Sequence, residues 1–222
     1  MIGWFLESAS TYSRDIDRLI LLITLLVGFW FVTAQGFLFY FVFKYRHREG
    51  RPAGYVTGEE KDLKRWISVP HMMILLCDVL IVMGAIQVWV NVKQTLPEPE
   101  QVVRVIGQQW AWTFVQPGPD GEIDTDDDIV TVDELHVRTD TVYHFKLQSK
   151  DVLHSFSIPV FRLKQDAVPG REITGWFEAT RTGEFDIQCA EICGIGHGLM
   201  AARLFIETPE EHQAWIDSQS KA

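Results

Sequence analysis

Gln188-Cys189-Ala190-Glu191-Ile192-Cys193-Gly194-Ile195-Gly196-His197-Gly198-Leu199-Met200 is the stretch on which the fold turns. Two of the chain's three cysteines, a histidine and a methionine fall within twelve residues. Thiolate, imidazole and thioether all bind soft or borderline metal ions. The glycines between them let the backbone turn tightly enough to aim several side chains at one point.

Upstream of this loop the texture is β. Val102 to Phe114, Ile129 to Val137, Thr141 to Leu147, Glu172 to Ala179 and Glu184 to Gln188 are short runs rich in β-branched and aromatic residues, and Ala201 to Ile206 follows it. Turn formers separate the runs. Short strands without intervening helical runs predict a β-sandwich. A short helix is expected over 209–218, opened by Thr208-Pro209-Glu210-Glu211.

The loop alone lacks enough nitrogen and sulfur donors for a pair of metals. His154, in Asp151-Val152-Leu153-His154-Ser155-Phe156-Ser157-Ile158-Pro159, is the best remote donor, at a strand end beside a proline that stops the ladder. A remote histidine followed by a Cys/His/Met loop near the C-terminus is the usual ligand pattern of copper sites in Greek-key sandwiches. His136 and His144 read as ordinary strand residues. Two alternatives stay open. A tetrahedral zinc site would use the cysteines and histidines but has no use for the thioether of Met200. A disulfide or redox pair of Cys189 and Cys193 would leave His197 and Met200 unexplained.

Outward from the soluble part, the first 92 residues are of another kind. Residues 19–43 carry no charge, and residues 66–92 are nearly as apolar, so both are expected to cross a membrane. Residues 1–92 therefore form a helical hairpin and 93–222 a soluble domain, joined through Thr95-Leu96-Pro97-Glu98-Pro99-Glu100, whose prolines favour an extended path. The loop 44–65 holds seven Lys/Arg, which puts it on the cytoplasmic side and both termini on the periplasmic or outer side. No small-x-small cleavage site follows the first apolar run, so no removable signal peptide is expected. Trp4, Phe5 and Tyr12 are candidate interface anchors. Asp78 lies inside the second span near His71, and an ionisable group there is expected to face a larger membrane protein. Cys77, also in the span, is expected to be a small buried apolar residue.

Charge is as uneven as hydropathy. The chain's net charge is −10, but residues 93–222 hold 11 Lys/Arg against 22 Asp/Glu. An acidic domain excludes a nucleic-acid partner and favours a basic protein. Residues 117–128 concentrate much of that acid, in a stretch with the composition of a calcium loop but not its helix-loop-helix spacing; a solvated hairpin tip is expected. No Cys-x-x-Cys-His occurs, so no covalent c-type haem is expected on this chain. Two thiolates shared by two coppers would spread one charge over both metals. With no position open for a substrate, such a site relays electrons.

Three motifs carry a resemblance to subunit II of the haem–copper cytochrome c oxidases, with its binuclear CuA centre. They are Cys189-x-Glu191-x-Cys193-x-x-x-His197-x-x-Met200, His154-Ser155-Phe156-x-x-Pro159 continuing to Lys164-x-Asp166-x-x-Pro169-Gly170, and Gly107-Gln108-Gln109-Trp110-Ala111-Trp112. The resemblance implies a cupredoxin domain on a two-helix membrane hairpin. It implies that Cys189 and Cys193 bridge two coppers, that His154 and His197 each bind one, and that Met200 and the Glu191 carbonyl are weak ligands. The Glu191 carboxylate would help hold Mg²⁺ at the interface with the catalytic subunit. Trp110 would receive the electron from cytochrome c or a similar donor, and a haem of subunit I would take it onward. Two departures from the family pattern stand out: Leu63 where many proton-pumping members have glutamate, and Lys150 where an acidic residue is usual. The first keeps open a CuA-bearing nitric oxide reductase of the same superfamily. A membrane-anchored copper-binding donor protein is the alternative from a different class.

Overall fold

The computed structural model describes residues 7–219 except Ala53 and Val56. Trp4 and Phe5 lie outside the described residues. The chain forms two compact units, residues 18–89 and residues 90–219 with 7–17.

The first unit is a helical hairpin. Helix α1 covers Ser13–Lys44 and α2 covers Lys61–Trp89, followed by a π-helical turn Val90–Gln94. Both helices are long and apolar enough to cross a membrane. They outrun the expected spans because the polar residues at their ends, such as Arg14, Asp15, Lys61 and Lys64, are helix-compatible outside an apolar run. Where they meet, Leu19 Cδ1 lies 3.2 Å from where a Cβ on Gly84 would stand, and the Trp30 indole N–H points at Cys77 Sγ, 3.5 Å away. Cys77 is half-buried rather than buried. His71 and Asp78 are both exposed on the hairpin, and Asp78 has no hydrogen-bond or ion-pair partner among the described residues.

The second unit is a sandwich of two five-stranded sheets. One has the order β3-β2-β1-β5-β8, the other β4-β10-β9-β6-β7. The strands are β1 Gln101–Gln108, β2 Ala111–Gln116, β3 Ile129–Val132, β4 Glu134–Arg138, β5 Val142–Ser149, β6 His154–Ile158, β7 Leu163–Ala167, β8 Ile173–Glu178, β9 Gly183–Cys189 and β10 Ala201–Glu207. Helix α3, Pro209–Gln219, closes the chain where the sequence places it. Alternation decides which side chains face inward: Val103 and Val105 of β1, Trp112 and Phe114 of β2, Tyr143, Phe145 and Leu147 of β5 are all buried. Trp112 and Phe145 both pack edge-on against Phe156 of the opposite sheet, at 5.4 and 5.7 Å between ring centres. Each such ring removed from water contributes about 1.5–3 kcal/mol.

The structure corrects several strand limits. The run 102–114 is a hairpin, broken at Gln109-Trp110. The run 129–137 is two strands in different sheets, parted at Asp133, whose φ of 59° turns the chain. Strand β7 lies outside the runs that the sequence predicts, and β6 is foreseen only as the strand end at His154. Pro159 does stop β6, at a 3₁₀ turn Pro159–Phe161. Residues 7–17, expected with the hairpin, pack on the sandwich instead: Ala9 N–H donates to Val160 O, Thr180 N–H to Ala9 O, and Arg162 pairs with Asp17 at 2.8 Å. Tyr12, expected as a membrane-interface anchor, is buried edge-on against Trp176. The Pro-rich linker is held by His144, whose Nε2 lies 2.7 Å from Pro97 O. The acidic tip 117–128 joins β2 to β3 and satisfies its own backbone: Asp127 accepts the Asp120 N–H, Asp120 the Glu122 N–H and Asp128 the Asp124 N–H.

Candidate metal centre

Pairing of β6, β9 and β10 brings the donors together at one end of the second sheet. Phe156 lies opposite Cys189, and the Ala190 N–H donates to Ser155 O, so His154 at the start of β6 stands beside Cys189 at the end of β9. Ala201 lies opposite Gln188 and the Cys189 N–H donates to Met200 O, which seats Met200 next to the same cysteine. The loop between β9 and β10 then carries Cys193 and His197 back over this end, helped by a 3₁₀ turn His197–Leu199.

The resulting cluster is a continuous chain of soft donors. Cys189 Sγ is 3.8 Å from Cys193 Sγ and 4.0 Å from His154 Nδ1. Cys193 Sγ is 3.6 Å from His197 Nδ1 and 3.8 Å from Met200 Sδ. The Glu191 carbonyl oxygen is 3.2 Å from Cys189 Sγ. The six residues expected as ligands therefore lie together, Glu191 with its backbone carbonyl toward the sulfurs. Cys189, Cys193, Met200 and His154 are all buried. Burial, then the neighbouring Cys189, pushes the Cys193 thiol above its ordinary value. Two unbridged cysteines, imidazoles presented by Nδ1 and a buried thioether fit copper by the chemistry of the donor set.

Trp110 occupies the turn between β1 and β2 and is 39% exposed, whereas Trp112 is wholly buried. The sequence placed both on one strand face; the hairpin separates them. The underside of the Trp110 ring lies against the ligand loop. A Cβ on Gly196 would stand 2.4 Å from its Cδ2, and Gly194 turns with φ +125° close by. Trp110 Nε1 and Gln109 Nε2 both point at Cys193 O, at 3.4 and 2.7 Å.

Sequence reasoning missed Asp151 as a member of this site. Its Oδ1 is 2.8 Å from His154 Nε2. Burial raises its pKa, but hydrogen bonds from His154 and from the Gln109 and Val152 N–H groups outweigh that and hold the carboxyl below the usual range. An acidic residue three before the candidate ligand His154 was the available signal. At the opposite end, His136 is the strand residue expected, in β4; it stacks between Phe205 and Trp215 and its Nδ1 meets Glu207, which also meets His212.

A two-sheet sandwich gathering sulfur and imidazole donors at one end, on a chain with two apolar helices, defines a membrane-anchored cupredoxin-type protein. The family model for cytochrome c oxidase subunit II, periplasmic domain, matches residues 101–206. The alternative cytochrome c oxidase subunit 2 of Bradyrhizobium diazoefficiens is 33% identical over 238 residues, covering 97% of this chain and 84% of that one. Cytochrome c oxidase subunit 2 of Cereibacter sphaeroides is 27% identical, covering 96% and 78%. The crystal structure of the periplasmic domain of subunit II of cytochrome oxidase from Bradyrhizobium japonicum superposes with a TM-score of 0.51 at 26% identity, over 57% of this chain and 98% of that domain. The chain belongs to the cytochrome c oxidase subunit II family. It is a membrane-anchored subunit of an oxidoreductase complex, with its sandwich facing outward and other oxidase subunits as partners.

Proposed function

We propose that this chain is the electron-accepting subunit of a respiratory haem–copper terminal oxidase. It would take electrons from cytochrome c at a binuclear copper centre and deliver them to haem in subunit I. The observation that carries this is the cluster of two cysteine sulfurs 3.8 Å apart, flanked by His154, His197, Met200 and the Glu191 carbonyl. Bound there, a copper pair supplies a one-electron redox couple whose charge is shared over both metals. Cys189 and Cys193 would hold the pair through their thiolates, and His154 and His197 through imidazole nitrogens. The stiff sandwich fixes these donors and excludes water, so little rearrangement accompanies a change of charge. Trp110 offers a donor protein a half-exposed ring beside the Cys193 carbonyl. His197 is the exit toward subunit I. The Glu191 carboxylate, with no hydrogen bond or ion pair among the described residues, is the group that would help hold Mg²⁺ at the subunit interface.

The domains divide accordingly, with residues 1–92 as membrane anchor, apart from the strap 7–17, and residues 93–222 as the copper domain. The anchor sits in the inner or cell membrane, with both termini and the copper domain on the periplasmic or outer side. Relatives named as cytochrome c oxidase subunits support the oxidase over a nitric oxide reductase or a copper-donor protein.

Purified complex containing this chain is expected to show a mixed-valence copper EPR signal shared over two nuclei. A chain holding a single zinc and no such signal would sink the proposal. Replacing Trp110 with Ala is expected to slow reduction by cytochrome c while the EPR spectrum stays unchanged. An unaltered rate would leave Trp110 without a role in electron uptake.

A further inference from the structure

We propose that Asp151 is a positioning residue that fixes both the metal-facing nitrogen of His154 and the seat of Trp110. The proposal rests on the ligand cluster being a copper site. Its oxygens are divided between two tasks. Oδ1 takes the His154 Nε2 at 2.8 Å and the Val152 N–H at 2.6 Å. Oδ2 takes the Gln109 backbone N–H at 2.7 Å.

The first task selects a tautomer. A carboxylate can only accept, so the imidazole proton sits on Nε2 and the lone pair on Nδ1. That lone pair faces Cys189 Sγ, 4.0 Å away. The ring cannot turn round, since His154 is fully buried and lies edge-on to Trp112 at 6.1 Å between centres. A carboxylate behind a ligating imidazole also makes the ring a stronger donor to the metal.

The second task is mechanical. Gln109 is held by its backbone to Asp151 and by its side-chain amide to Cys193 O, 2.7 Å from Nε2. The turn bearing Trp110 is therefore clamped between the loop before His154 and the loop that carries Cys193. Losing Asp151 frees both at once.

An acidic side chain 31% exposed near Trp110 has a competing role, a docking contact for a basic donor protein. The two roles are told apart with no donor present. Asp151→Ala and Asp151→Asn are made in the full chain and compared with the parent, in detergent without metal and in the assembled complex. In the metal-free chain, the His154 Nε2–H proton is expected to exchange slowly with water in the parent and fast in Asp151→Ala. In the complex, Asp151→Ala is expected to lower copper affinity 10–100-fold, to raise the midpoint potential and to change the nitrogen hyperfine coupling of one histidine. Asp151→Asn keeps one acceptor oxygen and is expected to recover part of each effect. It carries the same readouts should Asp151→Ala fail to fold. Unchanged proton exchange, potential and hyperfine coupling, with only a salt-dependent rise in KM for the donor, would overturn the proposal and make Asp151 a docking group. A parent that binds no copper would sink the copper reading alone, because the metal-free exchange measurement still tests whether Asp151 holds His154.

Discussion

Met200 Sδ lies 3.8 Å from Cys193 Sγ and 2% of the residue is exposed, so the thioether is committed to the sulfur cluster rather than to general core packing. As the weak ligand proposed above, it should tune the site without being needed to hold it. Met200→Leu, which keeps volume and burial, is expected to retain both coppers and shift the midpoint potential; loss of all copper on metal analysis would contradict this. Gly196 makes the opposite kind of contribution, by having no side chain. A Cβ there would stand within 2.4–2.8 Å of the Trp110 ring, so Gly196→Ala must push the indole off the ligand loop. Slower reduction by the donor at unchanged copper content is expected, with a stability loss of about 1–3 kcal/mol from overpacking. Stopped-flow reduction and thermal melts check the two halves.

At the scale of elements, helix α3 is docked through aromatic and acidic contacts beside the buried Ile216. Trp215 stacks on His136 at 4.2 Å, His212 stacks on Trp215 at 5.5 Å, and Glu207 at the end of β10 meets both histidines. Burial holds the His212 pKa below its ordinary 6.5, against the raising pull of Glu207, while Arg138 and His136 push the same way as burial. The sign follows from linkage: the unfolded chain binds the proton first, so this contribution is complete above about pH 6.5 and is lost as pH falls toward the folded value. Thermal stability of the sandwich is expected to decline below that pH, and His212→Gln to flatten the decline. A pH profile identical to the parent's would show that docking of α3 does not depend on this ring. The stack itself is expected to contribute about 0.5–1.5 kcal/mol beyond area burial, measurable in a Trp215→Ala, His136→Ala double-mutant cycle.

At the scale of the molecule, charge and hydropathy assign different tasks to the two units. Residues 93–222 hold 11 basic against 22 acidic groups, and in the proposed function this field would draw a basic donor toward the sandwich. The rate of reduction by cytochrome c is expected to fall as ionic strength rises from 0.01 to 0.15 M, as the Debye length shrinks from about 30 to 8 Å. A rate independent of salt would mean that the donor docks by apolar contact alone, at the exposed Trp110, Ile195 and their neighbours. The hairpin has no comparable charge. Its exposed Asp78 and His71 are polar groups that another membrane protein is expected to meet.

Donor chemistry, membrane spans and the existence of most strands follow from sequence, because they depend on residue type and local period. Cys189, Cys193, His197 and Met200 announce a soft-metal loop by composition, and uncharged runs announce spans by length. Tertiary structure decided the rest. Strand β7, with only Leu163 and Ala167 buried, has no alternation to read, and β1 runs into β2 without a turn former, so Trp110 and Trp112 looked equivalent. Only the hairpin put one on the surface and the other in the core. Only the pairing of β6, β9 and β10 brought His154 to Cys189 from 35 residues away. Which nitrogen of His154 faces the sulfur is set by Asp151, three residues before it, and that choice depends on the turn that folds the carboxylate back onto Nε2.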